Sequence, residues 1–531
     1  MATVRHGMAA AALDRLRARV PRGGGAPGGG RAASEESPEP TLRWLALAAL
    51  IGVVAGLGAV ALYELVHLGN VWILDKVGGY HVHTTTSDGA FRVSEASPHP
   101  WAVPLVAAGG ALLASLLVLL FAREAGGHGT DAAIHAALHD PYGMRGRVPL
   151  VKLVASGLTI GSGGSGGTEG PAAQISASFG SVIARRLGLS PRDARTALVV
   201  GLAAGVGAVF RAPIGGALLC AEILYRRDAD FSVLPKALVA SAVSWVCFGS
   251  LLGFGPIFGV HGTALEGGTP GLLLIVVVGL AAGAAGRAFA WCFYAVHTRV
   301  ERRGRSAAAR LLLPATGGLV VGVIGLGVPG VLGTGYGLME GLMHRQVLLG
   351  MSLWLVLLVP VAKLVATSLS VGSGGSGGIF GPSLFIGAGV GAAVWRLFEP
   401  IGIVPHDPTA YVVIGMAACL GPVARAPLAV LVMAVETVGD AALLGPGLIG
   451  VLCARIVVGG TTLYRSQLDR APGAEGPDRA APEAEQPRAE VPADTPAERP
   501  VDPIPHPGGP CEAVDDAEPG ATVATPGSTS T

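Results

Sequence analysis

Apolar residues along this chain come in long blocks, not in alternating stripes. Trp44 to Tyr63, Trp101 to Phe121, Leu272 to Ala290 and Leu353 to Leu369 are nearly free of charge. Each is about long enough to cross roughly 30 Å of hydrocarbon as a helix. Other apolar stretches are too short for this, broken by Gly or Pro, or both. Polar sequence collects at the edges. Arg15 to Arg22, Arg145 with Arg147, Arg185 with Arg186, Arg226 with Arg227 and Arg299 to Arg305 lie between or beside apolar segments, a pattern that marks cytoplasmic loops. Tyr80 to Pro100, with His81, His83 and three successive threonines, reads as an external loop.

The two ends differ from the middle. Residues 1–40 are rich in Arg, Gly, Ala and Pro and lack the apolar core of a secretory signal, which predicts a disordered cytoplasmic tail. Residues 471–531 are rich in Pro, Ala, Glu and Asp with few large apolar side chains, too few to offset the entropy of ordering. A membrane domain over 41–470 is expected between them. No cytoplasmic domain able to bind a nucleotide is expected after Arg470.

Within that domain one device occurs twice. Gly161 to Gly167 reads GSGGSGG and is followed by Thr168-Glu169-Gly170-Pro171; Gly372 to Gly378 repeats those letters 211 positions on, followed by Ile379-Phe380-Gly381-Pro382. The match extends back through Lys152-Leu153-Val154-Ala155 and Lys363-Leu364-Val365-Ala366. It resumes with Arg211-Ala212-Pro213 and Glu222 against Arg425-Ala426-Pro427 and Glu436 at an offset of 214. The domain therefore consists of two halves, roughly 41–255 and 270–470.

Composition agrees with a bilayer: 51% of residues are hydrophobic and 14% charged, too little charge to clothe a soluble globule of this size. A net charge of +1 argues against a nucleic-acid partner, which needs a concentrated basic surface. Five of the six cysteines lie in apolar runs and read as small buried hydrophobes. The loop histidines, and His128, His135 and His139, lack a matching ligand set, so no metal and no cofactor is expected.

Three chemistries suit a Gly-rich turn. A phosphate loop is excluded because Gly167 stands where the phosphate-binding Lys belongs. A serine hydrolase is a second candidate, since Ser165 and Ser376 both sit in G-x-S-x-G, but that elbow needs a preceding strand and a His with an acid elsewhere. The third is an anion site: a turn opening a helix exposes unpaired N–H groups, and the helix dipole adds about half a positive charge there. Two such turns in inverted halves can aim at one point near the midplane, and irregular backbone survives at that depth only where protein or a wet cavity surrounds it. Glu169 fits either an inert carboxylate satisfied by helix amides or a gate that blocks the site when charged and leaves when protonated.

Gly167 to Pro171 resembles the G-[KR]-E-G-P motif, and Gly378 to Pro382 the G-x-F-x-P motif, of the CLC chloride channel and transporter family. Gly127-His128-Gly129-Thr130-Asp131 resembles a divergent G-S-G-I-P-E, and Leu463-Tyr464-Arg465 the segment carrying that family's pore tyrosine. The resemblance covers roughly residues 40–470. It implies an all-α polytopic membrane protein of inverted-repeat helical fold, a homodimer in the cell membrane with both termini cytoplasmic, transporting chloride or a similar small anion. It also implies Glu169 as the gating glutamate, the amides of Ile379 and Phe380 with the Tyr464 hydroxyl at the central anion, and amides around Thr168 to Gly170 at the outer one.

Three departures from the pattern bear on function. Thr168 replaces the usual basic residue. His128 stands where a serine hydroxyl is expected and brings an imidazole that can change charge near neutral pH. Ile223 follows Glu222 where proton-exchanging members carry a second glutamate. Glu222 itself is expected to be a buried partner of a basic group such as Arg211 or Lys152, with proton carriage as the alternative. On these grounds the sequence favours a gated anion channel over proton-coupled exchange, with an intramembrane hydrolase well behind.

Overall fold

The computed structural model describes residues 38–82, 85, 98–259, 268–304 and 306–471. The expectations for residues 472–531, for nearly all of the N-terminal tail, for His83 and for most of the Tyr80–Pro100 loop lie outside them. Among the described residues regular structure is helical, with two isolated bridges the only extended pairing.

The first half holds α1 (Pro38–Gly69), which starts just inside the stretch read as a tail and runs on into a π-helical turn (Asn70–Asp75). It continues through α2 (Ala102–Phe121), α3 (Thr130–His139), α4 (Val148–Gly161), α5 (Glu169–Leu187), α6 (Pro191–Val209), α7 (Pro213–Glu222) and α8 (Leu234–Leu252). The second half holds α9 (Gly268–Arg303), α10 (Ala307–Gly327), α11 (Tyr336–Gly341), α12 (Arg345–Gly350), α13 (Leu353–Ser370), α14 (Phe380–Phe398), α15 (Thr409–Ala424), α16 (Pro427–Val438) and α17 (Leu444–Val458).

Helix boundaries follow local chemistry. Ser190 accepts the Asp193 N–H ahead of α6, with Pro191 at the first helical position, and Ser306 and Ser352 cap α10 and α13 in the same way. Gly188, at φ +63, ends α5 in the left-handed conformation. Among the described residues eight helices are long and apolar enough to span a membrane; they include all four long apolar runs picked out above. α4, α7, α15 and α16 are shorter, as expected of helices that stop within the bilayer.

Reciprocal contacts reveal the relation between the halves. Gly167 N–H donates to Gly378 O at 2.8 Å and Gly378 N–H to Gly167 O at 2.6 Å, an antiparallel bridge between equivalent residues. Equivalent backbones running in opposite directions at their meeting point are related by a local two-fold axis, as the halves of an inverted repeat are. Ser156 pairs with Ser376, and Ser165 with Thr367, both at 2.9 Å; each contact is the other seen from the opposite half. α5 packs on α6 as α14 does on α15, and α1 on α8 as α9 does on α17. Arg211 and Arg425 share a positive φ of 52° and 62°.

The pairing expected for Glu222 is not the one formed. Its carboxylate accepts the Ala429 N–H at 2.9 Å in the first turn of α16, while Glu436 accepts from Ile214 and Gly215 at 3.1 and 2.7 Å in the first turn of α7. Lys152 donates instead to the carbonyls of Ala125 and Gly127, and Arg211 to those of Leu252 and Gly255. A helix N-terminus supplies free N–H groups and a positive dipole end, so it satisfies a buried carboxylate without a cationic side chain.

Candidate functional site

α5 and α14 begin immediately after the Gly167–Gly378 bridge, so both N-termini converge on the point where the halves meet. Thr168 and Ile379 occupy the N-cap positions, neither with a side-chain cap, and Glu169 and Phe380 are the first helical residues. The first N–H groups of each helix have no partner within it.

The Glu169 side chain crosses from its own helix to the other one. It is buried, at 1% exposure, and Oε2 accepts the Gly381 N–H at 3.2 Å in the first turn of α14. Oε1 accepts the Tyr336 hydroxyl from the start of α11. The carboxylate lies between two glycines that leave room for it: a Cβ on Gly167 would come within 2.0 Å of Oε2, and one on Gly381 within 2.7 Å of Oε1. A negative group held by an exposed helix amide occupies the place a free anion would take. Phe380 is buried with its ring 5.4 Å from that of Phe210.

A second constellation lies on the other side of Gly170. The His128 carbonyl packs against Gly170, where a Cβ would approach it to 2.1 Å. His128 sits just before Gly129, the N-cap of α3 at φ +83, and Lys152 fixes this turn through the Ala125 and Gly127 carbonyls at 3.1 and 2.7 Å. The imidazole is 5.9 Å from the Tyr464 ring and 5.7 Å from that of Phe293. Tyr464 is fully buried, and its segment is pinned by Leu463 N–H to Val423 O and by Ser466 to the Asp131 carboxylate. His128 Nδ1 and the Tyr464 hydroxyl are both enclosed and unpartnered; Thr130 comes within reach of that hydroxyl without forming a bond of ordinary geometry. Buried polar atoms without a partner are few in a folded protein and call for an explanation.

The structure thus brings Glu169, Gly381, Phe380, Gly170, His128 and Tyr464 around the junction of the halves. Glu222 stays at the contact of α7 with α16. Ser165 and Ser376 are buried and hydrogen-bonded to the Thr367 and Ser156 hydroxyls, neither of which can act as a general base. His135 and His139 stack at 4.4 Å, and His139 Nδ1 is bonded to its own helix at His135 O.

Tyr336 belongs to no motif and was missed. The signal for it is Gly333-Thr334-Gly335 ahead of α11, which repeats the G-x-G of Gly127-His128-Gly129 ahead of α3. Lys363 holds that loop through Val331 and Gly333 as Lys152 holds its own, so Tyr336 is the counterpart of Thr130.

Comparison with known proteins follows the same lines. The family described as voltage gated chloride channel matches residues 110–459. The chain belongs to this family. It is 30% identical over 444 residues to the voltage-gated ClC-type chloride channel ClcB of Salmonella typhimurium, covering 82% of this chain and 99% of that one. It is 29% identical over 456 residues to the H(+)/Cl(-) exchange transporter ClcA of Klebsiella pneumoniae, covering 84% and 92%. A crystal structure of a CLC-type fluoride/proton antiporter superposes with a TM-score of 0.67 at 21% identity, over 82% of this chain and 100% of that chain, and fixes the fold as that of the family. With eight apolar spans among its described residues, this CLC chain is a multi-pass membrane protein whose family activity is anion transport.

Proposed function

We propose that this protein exchanges chloride or a similar small anion for protons across the cell membrane, along a path gated by Glu169. The observation that carries the reading is the Glu169 carboxylate docked on the Gly381 N–H. In that position it competes with an anion for the same donor, and it can leave either by taking up a proton or by displacement. Gating and protonation are then one event, which is the requirement for coupling.

In this account the amides from Thr168 to Gly170 serve the outer anion. The amides of Ile379 and Phe380, the Tyr464 hydroxyl and the His128 imidazole serve the central one. Weak, shared backbone donors suit an ion that must also leave. The Klebsiella relative, similar over most of its length, is named an exchanger, and this outweighs the preference for passive conduction drawn from Ile223. The protein works as a homodimer with both termini in the cytoplasm, and the hydroxyl-paired serines argue against a hydrolase.

A gated channel remains the second reading, on one observation: Glu222 is committed to the α16 N-terminus and Ile223 beside it cannot titrate. Proteoliposomes loaded with a chloride gradient separate the two. Exchange drives protons uphill as chloride runs down, and a channel leaves the recorded pH to follow the membrane potential alone.

A further inference from the structure

We infer that Tyr336 is a hydroxyl used in turn by the gate and by the permeant anion: it donates to Glu169 while the carboxylate is docked, and to the anion once the carboxylate has left. This rests on the reading of Glu169 as the gate.

The donors around the docked carboxylate come from separate elements. Gly381 N–H belongs to α14, and the Tyr336 hydroxyl to α11. When Glu169 withdraws, the buried Gly381 N–H and the half-buried Tyr336 hydroxyl lose their acceptor at once, and an enclosed donor without an acceptor is costly. An anion between them satisfies both, in the same volume that the two facing glycines keep clear for the carboxylate.

Tyr336 is well fixed for this. Its ring meets Phe258 edge-on at 6.1 Å. Gly335 at φ +83 lies so close to Phe385 that a Cβ would come within 2.8 Å of that ring, and Lys363 anchors the preceding loop through two carbonyls. The hydroxyl therefore stays in place when its acceptor moves. Its repeat counterpart, Thr130, lies beside the Tyr464 hydroxyl, so each half contributes one hydroxyl residue from the same G-x-G turn to its own end of the path.

The charged and titratable groups that act on Glu169 from the elements packed around it are Lys363 from α13 and Tyr464 beyond α17, and Glu340 follows Tyr336 one turn along α11. None of them takes the place of the hydroxyl, because Lys363 is engaged with Val331 and Gly333, and Glu340 with the Gly259 N–H.

The test uses Tyr336→Phe in the full-length protein, which keeps the ring on Phe258 and removes only the donor. In the otherwise wild-type chain, anion flux at the pH of minimum flux should rise about tenfold, the effect of losing one hydrogen bond to a charged group. In a Glu169→Ala background, where no carboxylate remains to be held, the same change should weaken chloride binding about tenfold by calorimetry.

A tyrosine that merely packs would move neither number, and two unchanged values overturn the proposal. A double-mutant cycle of Tyr336→Phe with Glu169→Gln should show coupling in the pH–flux curve; strict additivity also overturns it. If Glu169→Gln with Tyr336 intact leaves the pH response of flux untouched, the gate itself is wrong and the inference falls with it. That failure is recognisable because it arises without any change at Tyr336.

Discussion

Glu222 and Glu436 are related by the repeat, and each caps the first turn of the other's helix. Glu436 accepts two backbone N–H groups at 3.1 and 2.7 Å, and Glu222 one at 2.9 Å. Replacing either by Gln keeps the shape and removes the charge facing a helix N-terminus. The amide oxygen keeps one neutral bond, but at Glu436 the two N–H groups are accepted by separate oxygens, so there the amide NH2 faces one of them and that bond is lost. A hydrogen bond to a charged group contributes about 1.5–3 kcal/mol and a neutral one about 0.5–1.5. The change therefore costs about 1 kcal/mol for Glu222→Gln, where one bond becomes neutral, and about 3 kcal/mol for Glu436→Gln, where one becomes neutral and one is lost. Neither side chain touches Glu169, so anion flux per folded protein should be unchanged in both. The assay is surviving monodisperse protein against temperature, read by size exclusion, together with flux from proteoliposomes made from the same preparation. A Glu222→Gln protein as heat-stable as wild type that no longer moves protons would refute the reasoning and make Glu222 a proton carrier.

Two further outcomes follow from the junction of the halves. Gly170→Ala places a methyl 2.1 Å from the His128 carbonyl and 2.9 Å from Gly378 Cα; both are backbone, so the change should cost about 3 kcal/mol and sharply lower the yield of folded protein, whereas normal yield would mean the turn is not packed as described. His128→Ser removes the imidazole beside Tyr464 and should change the chloride-to-nitrate permeability ratio by at least about threefold, corresponding to one neutral hydrogen bond, in mixed-anion reversal potentials. An unaltered ratio would remove His128 from the anion path.

Much of this arrangement could be read from letters, because its principal parts are repeated. The paired Gly-rich turns, their position at helix starts and the partnership of Glu169 with the Phe380 turn all follow from two copies meeting head to head. The long apolar runs appear as α1, α2, α9 and α13. Tyr336 escaped because the spacing between the halves changes after α3 and α11, before Lys152 and Lys363, so the offset that aligns the Gly-rich turns does not align it with Thr130. The short G-x-G shared by the two loops is the one signal in the letters, and the matching carbonyl bonds of Lys152 and Lys363 give it weight. The partner of Glu222 was misjudged for a different reason. A buried carboxylate suggests a cation, yet here the positive end of a short helix from the other half does that work, and the pairing of α7 with α16 is a tertiary fact with no local signature.

The central claim is that the Glu169 carboxylate and the transported anion use one site in succession. Its most direct test is a crystal structure of Glu169→Ala grown in bromide, with the anion located by anomalous scattering. A bromide within hydrogen-bond reach of the Gly381 N–H, where the carboxylate lies in the intact protein, is the predicted result. A map with bromide elsewhere along the path and none at that amide would contradict it.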